Sequence, residues 1–88
     1  MRCWLSVGVA FLIMAPAVAG EECANELRMF ERDVRAAREL KEPVLWRLVG
    51  ANYKRRVRRY CTPAERRAVV AKLQLTPDEM KLLGLPDE

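Results

Sequence analysis

The sequence predicts an all-α fold in which a disulfide-stapled antiparallel helical hairpin is followed by two short C-terminal helices. Apolar residues recur at the three- and four-residue spacing of a helix in two consecutive segments. Two cysteines stand at the ends of those segments that an antiparallel arrangement would bring together. Two later T-P-x-E sequences have the pattern of helix N-termini. No segment alternates polar and apolar residues over enough positions to indicate a strand.

The first residues have the pattern of a secretion signal. Arg2 supplies a positive charge, an uncharged apolar run follows over residues 5–15, and Ala17-Val18-Ala19 offers small residues for signal-peptidase cleavage. An uncleaved membrane anchor is the alternative, but the apolar run is shorter than the ~20 residues that span a bilayer. We therefore predict a signal peptide over residues 1–19, a small helical domain over residues 20–88, and a periplasmic or secreted location.

The first helix is predicted over residues 22–41. Its apolar positions form a narrow stripe suited to one helical neighbour. They are Cys23, Leu27, Phe30, Val34 and Ala37. Oppositely charged residues four positions apart are expected to pair along this helix. The pairs are Glu31–Arg35, Arg35–Glu39 and Arg38–Glu42. Pro43 ends the helix, because proline disfavours helical geometry in the residue before it and suits the first turn of the next helix.

The second helix, predicted over residues 44–61, carries an aromatic-rich apolar stripe on one side and a row of cations on the other. At 100° per residue the apolar stripe spans about 120°. Its members are Leu45, Trp46, Val49, Tyr53, Val57 and Tyr60. The predicted basic face on the opposite side consists of Arg47, Lys54, Arg55, Arg58 and Arg59. Arg56 lies at the edge of the apolar stripe, and Gly50 interrupts the helix, for which close approach of the first helix is one explanation.

The lengths of the two helices predict a disulfide between Cys23 and Cys61. At 1.5 Å per residue, Cys23 and Cys61 both lie about 27–28 Å from the connection between the helices. Both sulfur atoms should therefore lie at the open end of the hairpin. Cys3 leaves with the signal peptide, and the even number of cysteines that remains in an exported chain also favours a bridge.

Two short helices follow the hairpin, and each begins with a capping box. Thr62 and Thr76 each precede a proline and stand three residues before a glutamate. We predict a third helix over residues 63–73 and a fourth over residues 77–83. Gly84 has the position of a left-handed C-cap, after which the next leucine can fold back on the helix.

The sequence contains no constellation typical of catalysis or metal binding. It has no histidine, which removes the commonest general base and the commonest metal ligand. Cys23 and Cys61 are too far apart for a C-x-x-C redox motif, and a structural bridge would consume both. Glycine-rich phosphate loops and the G-x-S-x-G motif are also absent. We therefore expect a non-enzymatic protein without a cofactor or a bound metal.

The predicted basic face has two interpretations. Glu21, Glu22 and Glu26 lie at the same end of the hairpin and could neutralise its cations, which would make the face a solvated structural surface. Alternatively, the face binds an acidic protein or an anionic envelope component, the latter with peripheral membrane contact. Nucleic acid is not expected as a partner, because an exported protein rarely meets it.

Trp46 and Tyr53 also have two interpretations. Both lie in the stripe expected to face the first helix, which favours burial in the core. The first helix offers only a narrow stripe, however, and an exposed remainder of the two rings would mark a partner site.

Three functions follow from these interpretations. The leading hypothesis is a small exported non-enzymatic interaction protein that binds an anionic partner through the predicted basic face. The alternatives are a membrane-surface or envelope-polyanion binder that uses the same face, and a structural accessory subunit of an envelope complex whose interface is the aromatic stripe. Binding that weakens with salt would distinguish the first two from the third.

Overall fold

The computed structural model describes the backbone of residues 2–88 and the side chains of residues 20–88. The predicted signal peptide, residues 1–19, lies outside the part of the chain whose side chains are described. All regular structure in residues 2–88 is helical, which confirms the predicted all-α class. Within the described residues, no helix combines the length and the apolar content needed to cross a bilayer.

Four helices make up the described chain. Helix α1 spans Arg2–Leu40. Helix α2 comprises three consecutive segments, namely Pro43–Asn52, a π-helical turn over Tyr53–Val57 and a final turn over Arg58–Tyr60. Helix α3 spans Pro63–Lys72, and helix α4 spans Pro77–Leu83.

Helices α1 and α2 form an antiparallel hairpin that is closed at both ends. At the turn, Lys41 adopts a φ of 56° and its N–H donates to the carbonyl oxygen of Ala37 over 2.9 Å. Pro43 then occupies the start of α2. At the other end the predicted disulfide joins Cys23 to Cys61, with the Cα atoms 5.0 Å apart. A bridge that closes a loop of this length stabilises by ~4 kcal/mol in the chain-entropy model.

The π-helical turn in α2 departs from the uninterrupted α-helix that the sequence periodicity predicts. The Arg58 N–H donates to the carbonyl oxygen of Tyr53, five residues earlier in the chain. One extra residue in this turn rotates the residues after it by about 100° relative to a regular α-helix. Tyr53 and Val57 are both buried. Tyr60, which regular periodicity places in the apolar stripe, is instead 39% exposed.

The core lies between the hairpin and the two C-terminal helices. The rings of Phe30 and Tyr53 pack with their centroids 5.0 Å apart, and Trp46 is also buried. Trp46 and Tyr53 are therefore core residues, and neither leaves an exposed ring that would mark a partner site. The other core side chains are Cys23, Val34, Ala37, Val49, Val57, Cys61, Val69, Leu73, Met80, Leu83 and Leu85.

Both predicted capping boxes are present. Thr62 Oγ1 accepts a hydrogen bond from the Glu65 N–H, and the Glu65 carboxylate accepts one from the Thr62 N–H over 2.8 Å. Thr76 and Glu79 make the same reciprocal pair at the start of α4. Each box satisfies two backbone donors that the first turn of the helix leaves without partners.

The chain leaves α4 through the predicted glycine cap. Gly84 has a φ of 75°, and its N–H donates to the carbonyl oxygen of Lys81 over 3.0 Å. The Leu85 N–H donates to the carbonyl oxygen of Met80 over 2.9 Å, which completes a Schellman motif. Leu85 is turned into the core by this reversal and is only 1% exposed.

Helix α4 crosses α2 at Gly50. A Cβ atom on Gly50 would lie 1.8 Å from the carbonyl oxygen of Leu83 and 2.7 Å from its carbonyl carbon. Only the missing side chain lets the two backbones approach this closely. The sequence analysis offered close approach of the first helix as one explanation for this glycine; the close neighbour is the end of α4.

An ion pair between Arg38 and Glu79 links α1 to the two C-terminal helices. Arg38 Nε and Nη2 donate to the two carboxylate oxygens of Glu79 over 2.7 and 2.8 Å. Arg38 Nη2 also donates to the carbonyl oxygen of Leu73 over 2.8 Å, at the end of α3. These bonds replace the Arg38–Glu42 pair expected along the helix. The hydrogen bonds from Arg38 outweigh partial burial and hold the pKa of Glu79 below its usual range.

Replacing Gly50 with alanine should destabilise the protein. In an open helix interior this change stabilises by ~1 kcal/mol. Here the new Cβ would overlap the backbone of Leu83, and forced overpacking of this kind costs about 1–3 kcal/mol or more. The free energy of unfolding in urea measures the effect. An unfolding midpoint equal to or above that of the wild type would contradict the close crossing.

Replacing Glu79 with glutamine should lower stability at pH 7 and have a smaller effect at pH 3. The folded-state pKa of Glu79 is depressed, so its carboxylate stabilises the fold above the unfolded-state value of about 4.3. That contribution is lost as the pH falls through the lower folded-state pKa. Glutamine can keep the capping box, so only the charge-assisted hydrogen bonds with Arg38 are lost. We expect the free energy of unfolding at pH 7 to fall by about 1.5–3 kcal/mol for this reason.

The matched control for that experiment is Asp78→Asn. Asp78 is the neighbouring exposed acid and has no ion pair among residues 20–88. Its replacement should change the free energy of unfolding by only a few tenths of a kcal/mol, within the range of about 0.5 kcal/mol typical of surface changes. Unfolding curves at pH 7 and pH 3 that show the same Glu79→Gln deficit would rule out the ionised pair as its cause.

Candidate functional site

The cations of the predicted basic face separate into two groups in the structure. Arg47, Lys54, Arg55 and Arg59 are exposed, and no carboxylate among residues 20–88 lies within ion-pair distance of them. We refer to these residues as the four unpaired cations. Arg58 differs, because its Nη2 lies 2.8 Å from the Glu88 carboxylate.

The π-helical turn explains why Arg58 separates from the four unpaired cations. Regular helical periodicity places Arg58 on the exposed arc, but the extra residue in the turn rotates it toward Tyr53. Its guanidinium carbon lies 5.9 Å from the centroid of the Tyr53 ring. Arg58 is therefore held within the fold, although 40% of its side chain stays exposed.

Only one of the three acids expected to neutralise the predicted basic face pairs with a cation of α2. Glu26 lies 3.2 Å from Arg56, the arginine that the periodicity sets at the edge of the apolar stripe. Glu21 and Glu22 are exposed and have no ion pair among residues 20–88. The described part of the chain therefore supplies no countercharge to the four unpaired cations.

Two of the four unpaired cations border a shallow cleft at the C-terminal end of α2. The cleft is lined by Arg55, Arg56, Arg59 and Tyr60. The guanidinium carbon of Arg59 lies 5.7 Å from the centroid of the exposed Tyr60 ring, and Arg55 Nη2 donates to Asn52 Oδ1 over 2.6 Å. These contacts orient the guanidinium groups without neutralising them, so the cleft can receive an anionic group.

Exposed apolar side chains lie on the same outer surface of α2. Val44 and Leu48 are four residues apart and are 60% and 56% exposed. Ala51 continues the same side of the regular part of α2, and Arg55 and Arg59 border one cleft beyond it. The outer surface of α2 therefore changes from apolar near the hairpin turn to cationic near the disulfide.

A second group of charges, which no motif in the sequence indicates, surrounds Glu88. The Tyr53 hydroxyl donates to Glu88 Oε2 over 2.7 Å, and Arg58 Nε donates to Glu88 Oε1 over 2.9 Å. Arg66 of α3 places its Nε 3.6 Å from Glu88 Oε2. We refer to Tyr53, Arg58, Arg66 and Glu88 as the Glu88 cluster. Its members come from three parts of the chain, which only the tertiary structure brings together.

The Glu88 cluster shifts the pKa of two of its members in opposite directions. Burial, together with the hydrogen bond to Glu88, raises the pKa of the Tyr53 hydroxyl far above its ordinary value. Burial also opposes ionisation of Glu88, but hydrogen bonds from Tyr53 and Arg58 outweigh it and hold the pKa of the carboxyl below its usual range. At neutral pH, Tyr53 is a neutral donor and Glu88 a charged acceptor. Neither pKa lies near neutrality, where general acid–base catalysis is most effective.

The chemistry that these surfaces support is the binding of anions. Residues 20–88 contain no group of three or more histidine, cysteine, aspartate or glutamate side chains arranged to hold a metal ion. The disulfide uses Cys23 and Cys61. Exposed guanidinium and ammonium groups, by contrast, are effective donors to carboxylates and phosphates.

Comparison of this chain with protein-family models, with curated proteins and with solved structures gives no match. The candidate site is therefore defined by its own geometry. That geometry consists of the four unpaired cations on the outer surface of α2 and of the Glu88 cluster between α2 and α3.

Proposed function

We propose that this chain is a small exported, non-enzymatic interaction protein that binds an anionic partner through the exposed cations of α2. The observation that carries the proposal is that four exposed cations without a countercharge among residues 20–88 lie on the same helix. An acidic protein or an anionic envelope component would supply that countercharge.

The helix dipole explains only part of this arrangement of charge. Cations stabilise a helix within its last turn, and the effect falls off beyond it. Arg59 lies in the final turn of α2, but Lys54 and Arg55 lie further from the C-terminus and Arg47 lies near the N-terminal end. Like charges four residues apart, as at Arg55 and Arg59, repel each other by about 0.2–0.5 kcal/mol. Folding gains little from these cations, whereas an anionic partner would gain from all of them.

The disulfide supports the exported location. Structural disulfides persist in oxidising compartments, such as the periplasm and the extracellular space, and are rare in reducing ones. The sequence pattern over residues 1–19 predicts the signal that would deliver the chain there.

A membrane-surface or envelope-polyanion binder is the second candidate function, and a specific observation favours it. Val44 and Leu48 are exposed on the same outer surface of α2 that carries the cations. Apolar side chains beside a basic segment are typical of proteins that contact anionic lipid surfaces. The third candidate, an accessory subunit that docks through the aromatic stripe, has less support, because Trp46 and Tyr53 are buried in the core.

Replacing Arg47, Arg55 and Arg59 together with glutamine should weaken binding to anionic probes and leave folding nearly unchanged. Exposed substitutions of this kind usually change stability by no more than about 0.5 kcal/mol each. Affinity for poly-L-glutamate, and for vesicles containing phosphatidylglycerol, should be measured at low and at physiological salt. Wild-type binding should fall as salt rises, and the triple variant should lose most of both the affinity and the salt dependence.

A second triple variant controls for net charge. Arg28, Arg35 and Arg67 are also exposed and have no ion pair among residues 20–88, but they lie on α1 and α3. Replacing them with glutamine removes the same charge from other surfaces and should leave binding close to wild type. Binding to poly-L-glutamate alone favours the acidic-protein partner, and binding to vesicles alone favours the membrane surface. Equal losses in the two triple variants, or no binding by the wild type, would refute the α2 surface as the binding site.

A further inference from the structure

One side of the α1–α2 hairpin is left uncovered by the two C-terminal helices. A groove runs between α1 and α2 on this side, and every residue that lines it belongs to those two helices. Two clefts on the other side of the hairpin, by contrast, include residues of α3 or α4. Stable helical domains bury the apolar sides of their helices against another layer, and residues 20–88 supply no such layer over this groove.

A line of side chains on each helix borders the groove and continues toward the hairpin turn. Each line follows the spacings of three and four residues that keep side chains on one side of a helix. We refer to these two lines together as the open face. Its members are Met29, Asp33, Ala36 and Leu40 on α1 and Leu45, Leu48, Asn52 and Arg55 on α2.

The open face exposes large apolar side chains. Met29 is 45% exposed, Leu40 is 62% exposed and Leu48 is 56% exposed. These three are half of the large apolar side chains that are exposed among residues 20–88. Single exposed apolar residues are ordinary, but several that share one face beside a groove indicate an interaction surface.

The two helices contribute opposite charges to the open face. Asp33 lies on the α1 wall of the groove, and its ion pair is a 3.5 Å contact with the neighbouring, exposed Arg32. Arg55 lies on the α2 wall and has no ion pair among residues 20–88. A two-fold rotation that stacks two open faces places α1 of each copy opposite α2 of the other. A second copy of this chain therefore complements both charges at once.

The distances from the hairpin turn give this two-fold arrangement a matching register. Counted from Glu42 at 1.5 Å per residue, Ala36 and Leu48 both lie about 9 Å from the turn. Asp33 lies at about 14 Å and Arg55 at about 20 Å, which is a separation of about one helical turn. A two-fold axis parallel to the helices preserves these distances. Apolar residues near the turn then meet apolar residues of the second copy, and Asp33 lies within reach of the long Arg55 side chain of that copy.

We propose that the open face is a homodimer interface. Two copies pack face to face about a two-fold axis parallel to α1 and α2, so the two hairpins form a four-helix bundle. Asp33 of each copy forms an ion pair with Arg55 of the other. An anionic partner or an anionic lipid surface fits this face less well, because it would meet the charge of Asp33 as well as that of Arg55.

The dimer goes beyond the function proposed above and does not rest on it. Arg55 is the one member of the four unpaired cations that belongs to the open face. Arg47, Lys54 and Arg59 lie outside the proposed interface and stay on the surface of the dimer.

Sedimentation equilibrium of the purified wild-type protein, with its disulfide intact, tests the dimer. The average mass should rise with concentration toward twice the monomer mass. The double variant Leu40→Gln/Leu48→Gln should raise the dissociation constant at least about a hundredfold, because both leucines are buried in each copy of the dimer. It should keep its affinity for poly-L-glutamate, which separates this proposal from the proposed function.

Leu82→Gln is the matched control for the double variant. It removes an exposed leucine from α4, outside the open face, and should leave the dissociation constant close to that of the wild type. Circular dichroism checks that all of these variants remain folded.

Charge reversal tests the pairing between the two copies. Asp33→Arg alone brings two arginines together at each contact, and Arg55→Asp alone brings two aspartates together. Each variant should therefore be monomeric at concentrations where the wild type is dimeric. An equimolar mixture of the two variants should recover the dimer, because each contact then joins an aspartate to an arginine. A contact within one chain would not give this recovery.

Three results would overturn the dimer. The first is a wild type that stays monomeric up to millimolar concentration. The second is an equal effect of Leu82→Gln and Leu40→Gln/Leu48→Gln on the dissociation constant. The third is a mixture of the two charge variants that stays monomeric. A monomeric wild type whose binding to phosphatidylglycerol vesicles is weakened by Leu40→Gln/Leu48→Gln would assign the open face to a lipid surface instead.

Discussion

The crossing of α2 by α4 at Gly50 is the contact on which the rest of the structure depends. Because Gly50 has no side chain, the backbone of Leu83 can lie directly against α2. The chain then reverses at the glycine cap, places Leu85 in the core and carries Glu88 back to Tyr53. A side chain at Gly50 would displace each of these later contacts. One absent Cβ atom therefore positions both the last part of the core and the Glu88 cluster.

The charged residues of the chain divide into those used inside the fold and those left on its surface. Arg38, Arg56 and Arg58 each bind a carboxylate on a different element of the chain. Within residues 20–88, the four unpaired cations have no such partner. Their location on a single helix, more than the net charge of +4, makes the outer surface of α2 the candidate interface. The π-helical turn contributes to this division in α2, because it rotates Arg58 inward and leaves Arg55 outward.

The expectations that the structure confirms rest on local chemistry or on simple lengths. The two capping boxes involve residues within three positions of each other, so the sequence alone contains all of their partners. The disulfide follows from the nearly equal distances along the two helices from the short turn to each cysteine. The apolar stripe correctly placed Trp46 and Tyr53 in the core but misplaced Tyr60, which lies after the π-helical turn. The error has a single cause, since periodicity assumes a constant rotation per residue.

The sequence by itself thus determined the helical class, the starts of the last two helices and the pairing of the two cysteines. Only the tertiary structure decided which distant charges meet. Arg38 pairs with Glu79, because this half-buried contact gives the guanidinium group three acceptors, namely two carboxylate oxygens and the carbonyl oxygen of Leu73. An exposed pair with a residue four positions along the helix would stabilise by only about 0.2–0.5 kcal/mol. Glu31 likewise pairs with Lys72 of α3 instead of Arg35 along its own helix. The contacts of the Glu88 cluster were also decided by the tertiary structure, because no spacing along the chain encodes the packing of α3 and α4 against α2.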